Sequence, residues 1–281
     1  MDAETEALLE RAKNPRLIPG IYNYCDRRCE RCPFTERCLT YIDVRAYEET
    51  HPDAGPFDQV EQSFQQTFEL IEAWCEREGI DFERLRAEAS AKPEPAMPRV
   101  DEAVRANPLS PLARAYSKAS YEIVRSLQNA ELQHAWPAAV TDAIDTIAWF
   151  SSMIGAKVHR ALHGLQSLPS RDRRARAEND GFDHDEVQND WNGSAKAARL
   201  GIAASIAAWE TILTAGEAAS DSPMRQIVSM LRRIDEGIAD AFPLAMEFVR
   251  PGFDEPDVAA GALTTLAPYE RRRQSADPLA L

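Results

Sequence analysis

Five stretches of the chain carry apolar side chains on one face at the 3.6-residue period of an α-helix, which restricts the possible folds strongly. They begin near Phe57, Ser110, Pro137, Asp190 and Ser222. Each apolar stripe has to be buried against another element. The sequence lacks runs that alternate Val, Ile or Thr with polar residues between turns, which argues against an all-β fold. It therefore predicts an all-α protein built as a four- or five-helix bundle.

The first stripe lies in a helix predicted from Phe57 to Glu78, with Gly79 as its end. We expect the other helices to cover this face. A further short helix is predicted over residues 81–90. The stripe itself comprises Val60, Phe64, Phe68, Ile71 and either Trp74 or Cys75.

Helix boundaries are indicated by capping residues. Ser110 followed by Pro111, and Ser222 followed by Pro223, have the order preferred at an N-cap and the first helical position. Pro243 is expected to kink the last turns of the fifth helix.

The sequence also divides the chain into three predicted segments. Residues 1–50 are predicted to form a cysteine-rich, metal-binding head, residues 57–250 the helical bundle, and residues 251–281 a loose C-terminal tail. A polar stretch between Ser167 and Glu186 is predicted to be a solvated loop.

Charge and hydropathy limit the classes of partner. The 281 residues include 46 acidic and 32 basic side chains, giving a net charge of −14, which argues against binding to nucleic acid phosphates. No apolar run is long enough to span a membrane, and the acidic N-terminus does not resemble a signal peptide. We therefore expect a cytoplasmic protein whose partner is another protein, a redox partner among the candidates.

The most specific motif is a cluster of four cysteines within fourteen residues. Cys25, Cys29, Cys32 and Cys38 follow the spacing C-x3-C-x2-C-x5-C. Disulfides are rare in the cytosol, and four neighbouring thiolates repel one another unless a metal binds them. The spacing therefore predicts a four-cysteine metal centre.

Two kinds of centre fit this spacing. Structural zinc usually takes two C-x2-C pairs separated by a longer insert, and this segment has only one such pair. A [4Fe-4S] cluster can be bound by one short stretch of chain. The sequence favours the [4Fe-4S] cluster and keeps zinc as the alternative. The fifth cysteine, Cys75, is predicted to be a core residue.

The segment Cys29-x2-Cys32-Pro-Phe-x3-Cys38 resembles the iron–sulfur loop of the helix-hairpin-helix DNA glycosylases, which implies a [4Fe-4S] site. The resemblance covers about ten residues, and Cys25 lies closer to Cys29 than the first cysteine does in those enzymes. No hairpin or catalytic Lys/Asp pattern accompanies it, so it implies no glycosylase activity. The spacing of Cys25, Cys29 and Cys32 also matches the radical-SAM triad, but Cys38 adds a fourth ligand.

A wider resemblance covers most of the chain. The stretches IYNYCDRRCERCPFTERC, DAIDTIAWFSSMIGAKVHRAL and NDWNGSAKAARLGIAASIAAW resemble an uncharacterised bacterial family of cysteine-headed helical proteins. This resemblance implies the architecture and no particular activity.

Several charged residues interrupt the predicted bundle. They either form ion pairs that fix the packing of the helices or line a pocket of a helical-bundle enzyme. Asp145 and Lys196 are predicted to be neighbours across the third and fourth helices. The candidate pocket residues are Asp142, Asp145, Lys157, Asp190 and Lys196.

Three functions therefore remain open. The chain is a [4Fe-4S] protein whose cluster is structural or transfers electrons, a zinc-stabilised interaction module, or an enzyme with an acidic and lysine-containing pocket.

Overall fold

The computed structural model describes residues 3–55, 57–91, 97–131, 136–167, 186–216 and 222–254, and this part of the chain is mostly helical without a β-strand. The predicted all-α fold is therefore confirmed. Most of the predicted solvated loop lies outside the described residues. The α-helices are α1 (Ala3–Ala12), α2 (Ile21–Tyr24), α3 (Leu39–Thr50), α4 (Asp58–Glu78), α5 (Phe82–Ala91), α6 (Met97–Ala106), α7 (Leu109–Glu131), α8 (Ala138–Gln166), α9 (Asp190–Ala215) and α10 (Pro223–Ala241).

Four long helices form the bundle. Helix α8 packs against α7 and α9, and α10 closes the ring by contacting both α7 and α9. Their stripes meet in one apolar core, as the helical periodicity predicted. None of the helices that the structure describes is long and apolar enough to cross a membrane. The largest fully buried side chains of this core include Tyr116, Ile147, Ile202, Trp209 and Ile234.

The close packing of α8 against α9 depends on a small residue. A Cβ atom at Gly201 of α9 would lie 2.8 Å from the Phe150 ring of α8, closer than side chains tolerate. Glycine at this position therefore lets the two helices approach each other.

The first predicted stripe behaves differently from the others. Helix α4 has its main contacts with α1 and α5, and its apolar face is largely open to solvent. The exposed fractions are 64% for Phe64 and 57% for Phe68, while Cys75 is fully buried as predicted. The expectation that other helices cover this stripe is wrong, because α4 lies beside the bundle rather than within it.

The capping predictions had mixed outcomes. Gly79 ends α4 with a φ of 70°, and the Ser222 hydroxyl accepts the Met224 N–H at 3.3 Å at the start of α10, so both predictions are confirmed. Ser110 is not a cap, because α7 already begins at Leu109, whose N–H donates to the Asn107 side chain. Pro243 does not kink a helix, because α10 ends at Ala241.

Candidate metal centre

The four clustered cysteines border one small pocket. They lie on residues 25–38, here called the cysteine loop, which follows α2 and contains two single 3₁₀ turns, Cys29–Arg31 and Thr35–Arg37. Residues of the loop line the pocket, and Ile21 and Tyr41 complete its lining. The loop therefore brings together the four sulfur donors that the spacing singled out: Cys25, Cys29, Cys32 and Cys38.

Two of the sulfurs accept backbone hydrogen bonds. The Phe34 N–H donates to Cys32 Sγ at 3.4 Å, and a backbone hydrogen bond from Arg27 partly offsets the burial that raises the pKa of Cys25. Arg27 has a φ of 58°, a left-handed conformation that no other non-glycine residue adopts in the described part of the chain. A backbone held in this uncommon conformation is typical of functional loops. The N–H donors at the sulfurs stabilise thiolates.

Burial acts in the opposite direction on the metal-free thiols. Burial raises the pKa of Cys32 to about 11 and also raises the pKa of Cys25 and Cys29. The neighbouring Cys25 and Cys38 sulfurs raise the pKa of Cys29 further. The thiols of Cys25, Cys29 and Cys32 are therefore protonated at neutral pH in the metal-free loop.

The donor set fits a thiolate-bound metal in number and type. In the part of the chain that the structure describes, however, no three His, Cys, Asp or Glu side chains are already arranged around a common metal position. The cysteines are instead free thiols, with Cys75 far from them in sequence on α4.

The cysteine loop packs against a small apolar cluster. This cluster combines Ile18, Ile21, Tyr24 and Phe34 with Phe248, and Cys32 and Cys38 pack against it. Phe248 belongs to residues 248–254, here called the closing segment, which follows the bundle. The loop therefore rests on a core built from both ends of the described chain.

The closing segment includes the first residues of the predicted tail. The Tyr24 hydroxyl donates to the Pro251 carbonyl at 3.2 Å, and the Phe253 ring packs edge-on against Phe34 at 4.8 Å between centroids. Residues 251–254 are therefore part of the packed structure rather than a loose tail. The rest of that tail, residues 255–281, lies outside the described residues.

Lys157, one of the predicted pocket residues, fastens the chain just before the cysteine loop to α8. Its Nζ donates to the carbonyls of Tyr22 at 3.3 Å and Asn23 at 2.7 Å. Burial lowers the pKa of Lys157 to about 8, and the neighbouring Cys25 opposes this effect. The Trp149 indole N–H adds a 2.7 Å bond to the Asp26 carbonyl.

Asp190 reaches the same segment from α9. It accepts a hydrogen bond from the Asn23 side chain at 3.1 Å and pairs with Arg160 of α8 at 3.1 Å. Lys157 and Asp190 are thus brought together at Asn23, where they attach the start of the cysteine loop to the bundle.

Lys196 holds the closing segment instead. Its Nζ donates to the Phe248 carbonyl at 2.6 Å and pairs with Asp254 at 2.7 Å, while Arg250 pairs with the same carboxylate at 2.7 Å. Burial alone would raise the pKa of Asp254, but the hydrogen bonds from Arg250 and Lys196 hold it well below its usual range. Lys196 therefore neutralises a carboxylate outside the bundle helices.

The two remaining candidate pocket residues also lie on α8. Asp142 is exposed and Asp145 half-buried. Asp145 forms no ion pair with Lys196, so the predicted contact between these two residues is wrong, because Lys196 turns toward the closing segment.

The role of the closing segment is not predictable from the sequence alone. The sequence assigns Phe248, Arg250, Phe253 and Asp254 to no candidate site. One usable signal was Gly193, since a Cβ there would lie 2.9 Å from the Phe248 ring.

No protein-family model, curated protein or solved structure matches this chain. Its function is therefore inferred from the residues of the cysteine loop and their surroundings.

Proposed function

We propose that the cysteine loop binds a [4Fe-4S] cluster through Cys25, Cys29, Cys32 and Cys38, and that the protein uses this cluster as a structural centre or for electron transfer. The observation that carries this proposal is that four free thiols line one pocket on a loop of fourteen residues. The N–H donors at two of these sulfurs add support, because hydrogen bonds to sulfur tune bound clusters.

The surroundings of the pocket suit an anionic centre. Arg27 and Arg28 line it beside one acidic residue, Asp26, and the charge of Lys157 partly offsets the burial that raises the pKa of Cys25. A four-thiolate centre carries negative charge, which these cations offset in a chain whose net charge is −14.

Binding requires the loop to tighten. The thiols of Cys25, Cys29 and Cys32 are protonated at neutral pH because burial raises their pKa, so metal uptake releases protons from them. The described side chains are not yet grouped around a metal position, so uptake also draws the sulfurs together. Lys157 and Trp149 hold the chain at residues 22–26, where the loop begins, and the Arg37 carbonyl near the end of the loop accepts the Ile18 N–H at 2.9 Å. The stretch between these attachments includes the Cys29–Arg31 turn, which is left to adjust. A bound cluster would supply one-electron redox chemistry.

Aerobic and anaerobic purification with metal analysis tests this proposal. Anaerobically purified protein should be brown, absorb at about 400 nm and contain iron and acid-labile sulfide. Colourless protein with one equivalent of zinc would refute the cluster and support the alternative, a zinc-stabilised interaction module. Protein that takes up neither metal on reconstitution would overturn both.

Single Cys→Ser variants then identify the ligands. Replacing any of the four loop cysteines should lower the metal content and reduce the free energy of unfolding by several kcal/mol, since binding energy is folding energy in such segments. Cys75→Ser is the matched control, because this buried thiol lies on α4, and it should retain all of the metal. Full metal retention in Cys38→Ser would show that only three cysteines bind.

A further inference from the structure

A second cavity, of about 370 Å³, lies between the cysteine loop and the bundle. Arg28, Arg31 and Cys32 line it from the loop, and Phe150 of α8 and Gly201 of α9 line it from the opposite side. Cys32 and Arg28 also border the pocket of the four thiols, so the two spaces are neighbours. The cavity has the size of sites that hold small organic molecules.

The closing segment supplies a further wall. Arg250 and Phe253 line the cavity, and the Arg250 guanidinium lies 5.1 Å from the centroid of the Phe253 ring. Hydrogen bonds from Arg250 Nε and Nη2 to the Asp254 carboxylate hold the guanidinium in place. This wall is therefore both cationic and aromatic.

The charge of the lining favours an anion. Three arginines, Arg28, Arg31 and Arg250, border the cavity, whereas Asp26 is its one acidic lining residue among the described ones. A cationic cavity on a chain of net charge −14 concentrates small anions locally, although the molecule as a whole repels them.

Of the three arginines, Arg28 is the one whose burial and weak ion pair favour binding of an anion. Its side chain is only 11% exposed, and its ion pair is a 3.3 Å contact with Glu30, which is 48% exposed. Because the Glu30 carboxylate is half exposed and screened by solvent, an anion inside the cavity competes for the guanidinium. Arginine binds carboxylate and phosphate through paired N–H donors.

From this geometry we propose that the cavity binds a small organic anion. Its carboxylate or phosphate group lies against Arg28 and Arg31, and its apolar body lies against Phe150 and Phe253. The proposal goes beyond the metal centre and rests on the cavity alone, so it holds for either metal. It also gives the centre a ligand site adjacent to Cys32.

Calorimetric titration of the purified full chain at low ionic strength tests this site. Phenyl phosphate and benzoate are the probes with an anionic group on an aromatic body, inorganic phosphate is the anion without that body, and benzyl alcohol is the neutral control. We expect phenyl phosphate to bind more tightly than inorganic phosphate, benzoate to bind detectably, and benzyl alcohol not to bind.

Two variants separate charge from shape. Arg28→Gln/Arg31→Gln should weaken phenyl phosphate binding about tenfold or more, as expected for the loss of charge-assisted hydrogen bonds. Arg16→Gln/Arg45→Gln is the matched control, because it removes the same charge from exposed residues outside the cavity. Ala204→Leu fills the cavity while keeping every arginine, and should abolish binding.

The proposal fails if phenyl phosphate binds wild-type protein no better than benzyl alcohol, or if the two double variants lose affinity equally. It also fails if Ala204→Leu leaves the affinity unchanged. Circular dichroism and metal content are measured on the same samples. Anion binding by protein that takes up neither iron nor zinc on reconstitution would refute the metal centre alone, and metal-loaded protein without anion binding would refute this site alone.

Discussion

The bundle helices and helix α4 all carry one-sided apolar stripes, but the stripe of α4 has different surroundings from those of the bundle. Ile147 and Trp209 in the bundle are fully buried, whereas Phe64 and Phe68 of α4 remain more than half exposed. The difference is in the neighbours, because α8 and α9 each face two long helices and α4 has its main contacts with the short α1 and α5. Periodicity alone thus predicts a helix and its apolar face, while burial depends on which elements are within reach.

Truncating the bundle core should have the largest effect on stability. Trp209→Ala removes a fully buried side chain and should lower the free energy of unfolding by about 4 kcal/mol, the cost of a large cavity. Chemical denaturation monitored by circular dichroism measures this loss. Trp74→Ala on α4 is the matched control, and its side chain is 45% exposed, so it should cost far less. Equal losses in both variants would remove the distinction between the two regions.

The contact between the bundle and the closing segment should have an intermediate effect. Asp254→Asn removes the carboxylate that Lys196 and Arg250 share, and should cost about 2 kcal/mol at pH 7, the usual loss for hydrogen bonds to a charged group. Denaturation curves at several pH values measure this difference.

The pH dependence of that loss has a definite sign. The pKa of Asp254 is lowered in the folded protein, so its contribution is fully present above the ordinary aspartate pKa of about 3.9 and is lost as the pH falls toward the folded value. The wild-type advantage over Asp254→Asn should therefore shrink below about pH 4. Asp240→Asn is the control, because Asp240 is exposed on α10 and should give no such difference. A pH-independent loss would contradict the role of the charge.

Local signals in the sequence predicted the helices well because they depend on neighbouring residues. Gly79 and Ser222 end and begin helices for reasons contained within a few residues of chain. Lys157, Asp190 and Lys196 were recognised as unusual polar residues in apolar helices, but their partners could not be deduced. The two lysines bind backbone carbonyls and one carboxylate brought in from the two ends of the described chain, and Asp190 binds the Asn23 amide and Arg160.

The cysteine loop illustrates the same limit for the candidate site. The spacing of Cys25, Cys29, Cys32 and Cys38 identified the donors, because all four lie on one short segment. The cationic cavity beside Cys32 was not predicted, since it needs Phe150 of α8 and Arg250 of the closing segment to meet the loop. Long-range packing of this kind leaves no periodic pattern in the sequence.

Removing the exposed stripe of α4 should have the smallest effect. Phe64→Ser/Phe68→Ser replaces two exposed rings by a residue of similar helix propensity, so the free energy of unfolding should change by less than about 0.5 kcal/mol. Ile147→Ser is the matched control within α8, where the same kind of replacement puts a hydroxyl into a fully buried apolar site and should cost several kcal/mol. Denaturation of the three proteins side by side measures both changes. A loss in the α4 variant that approaches that of Ile147→Ser would mean that the stripe is covered in solution, and the two regions would then follow the same rule.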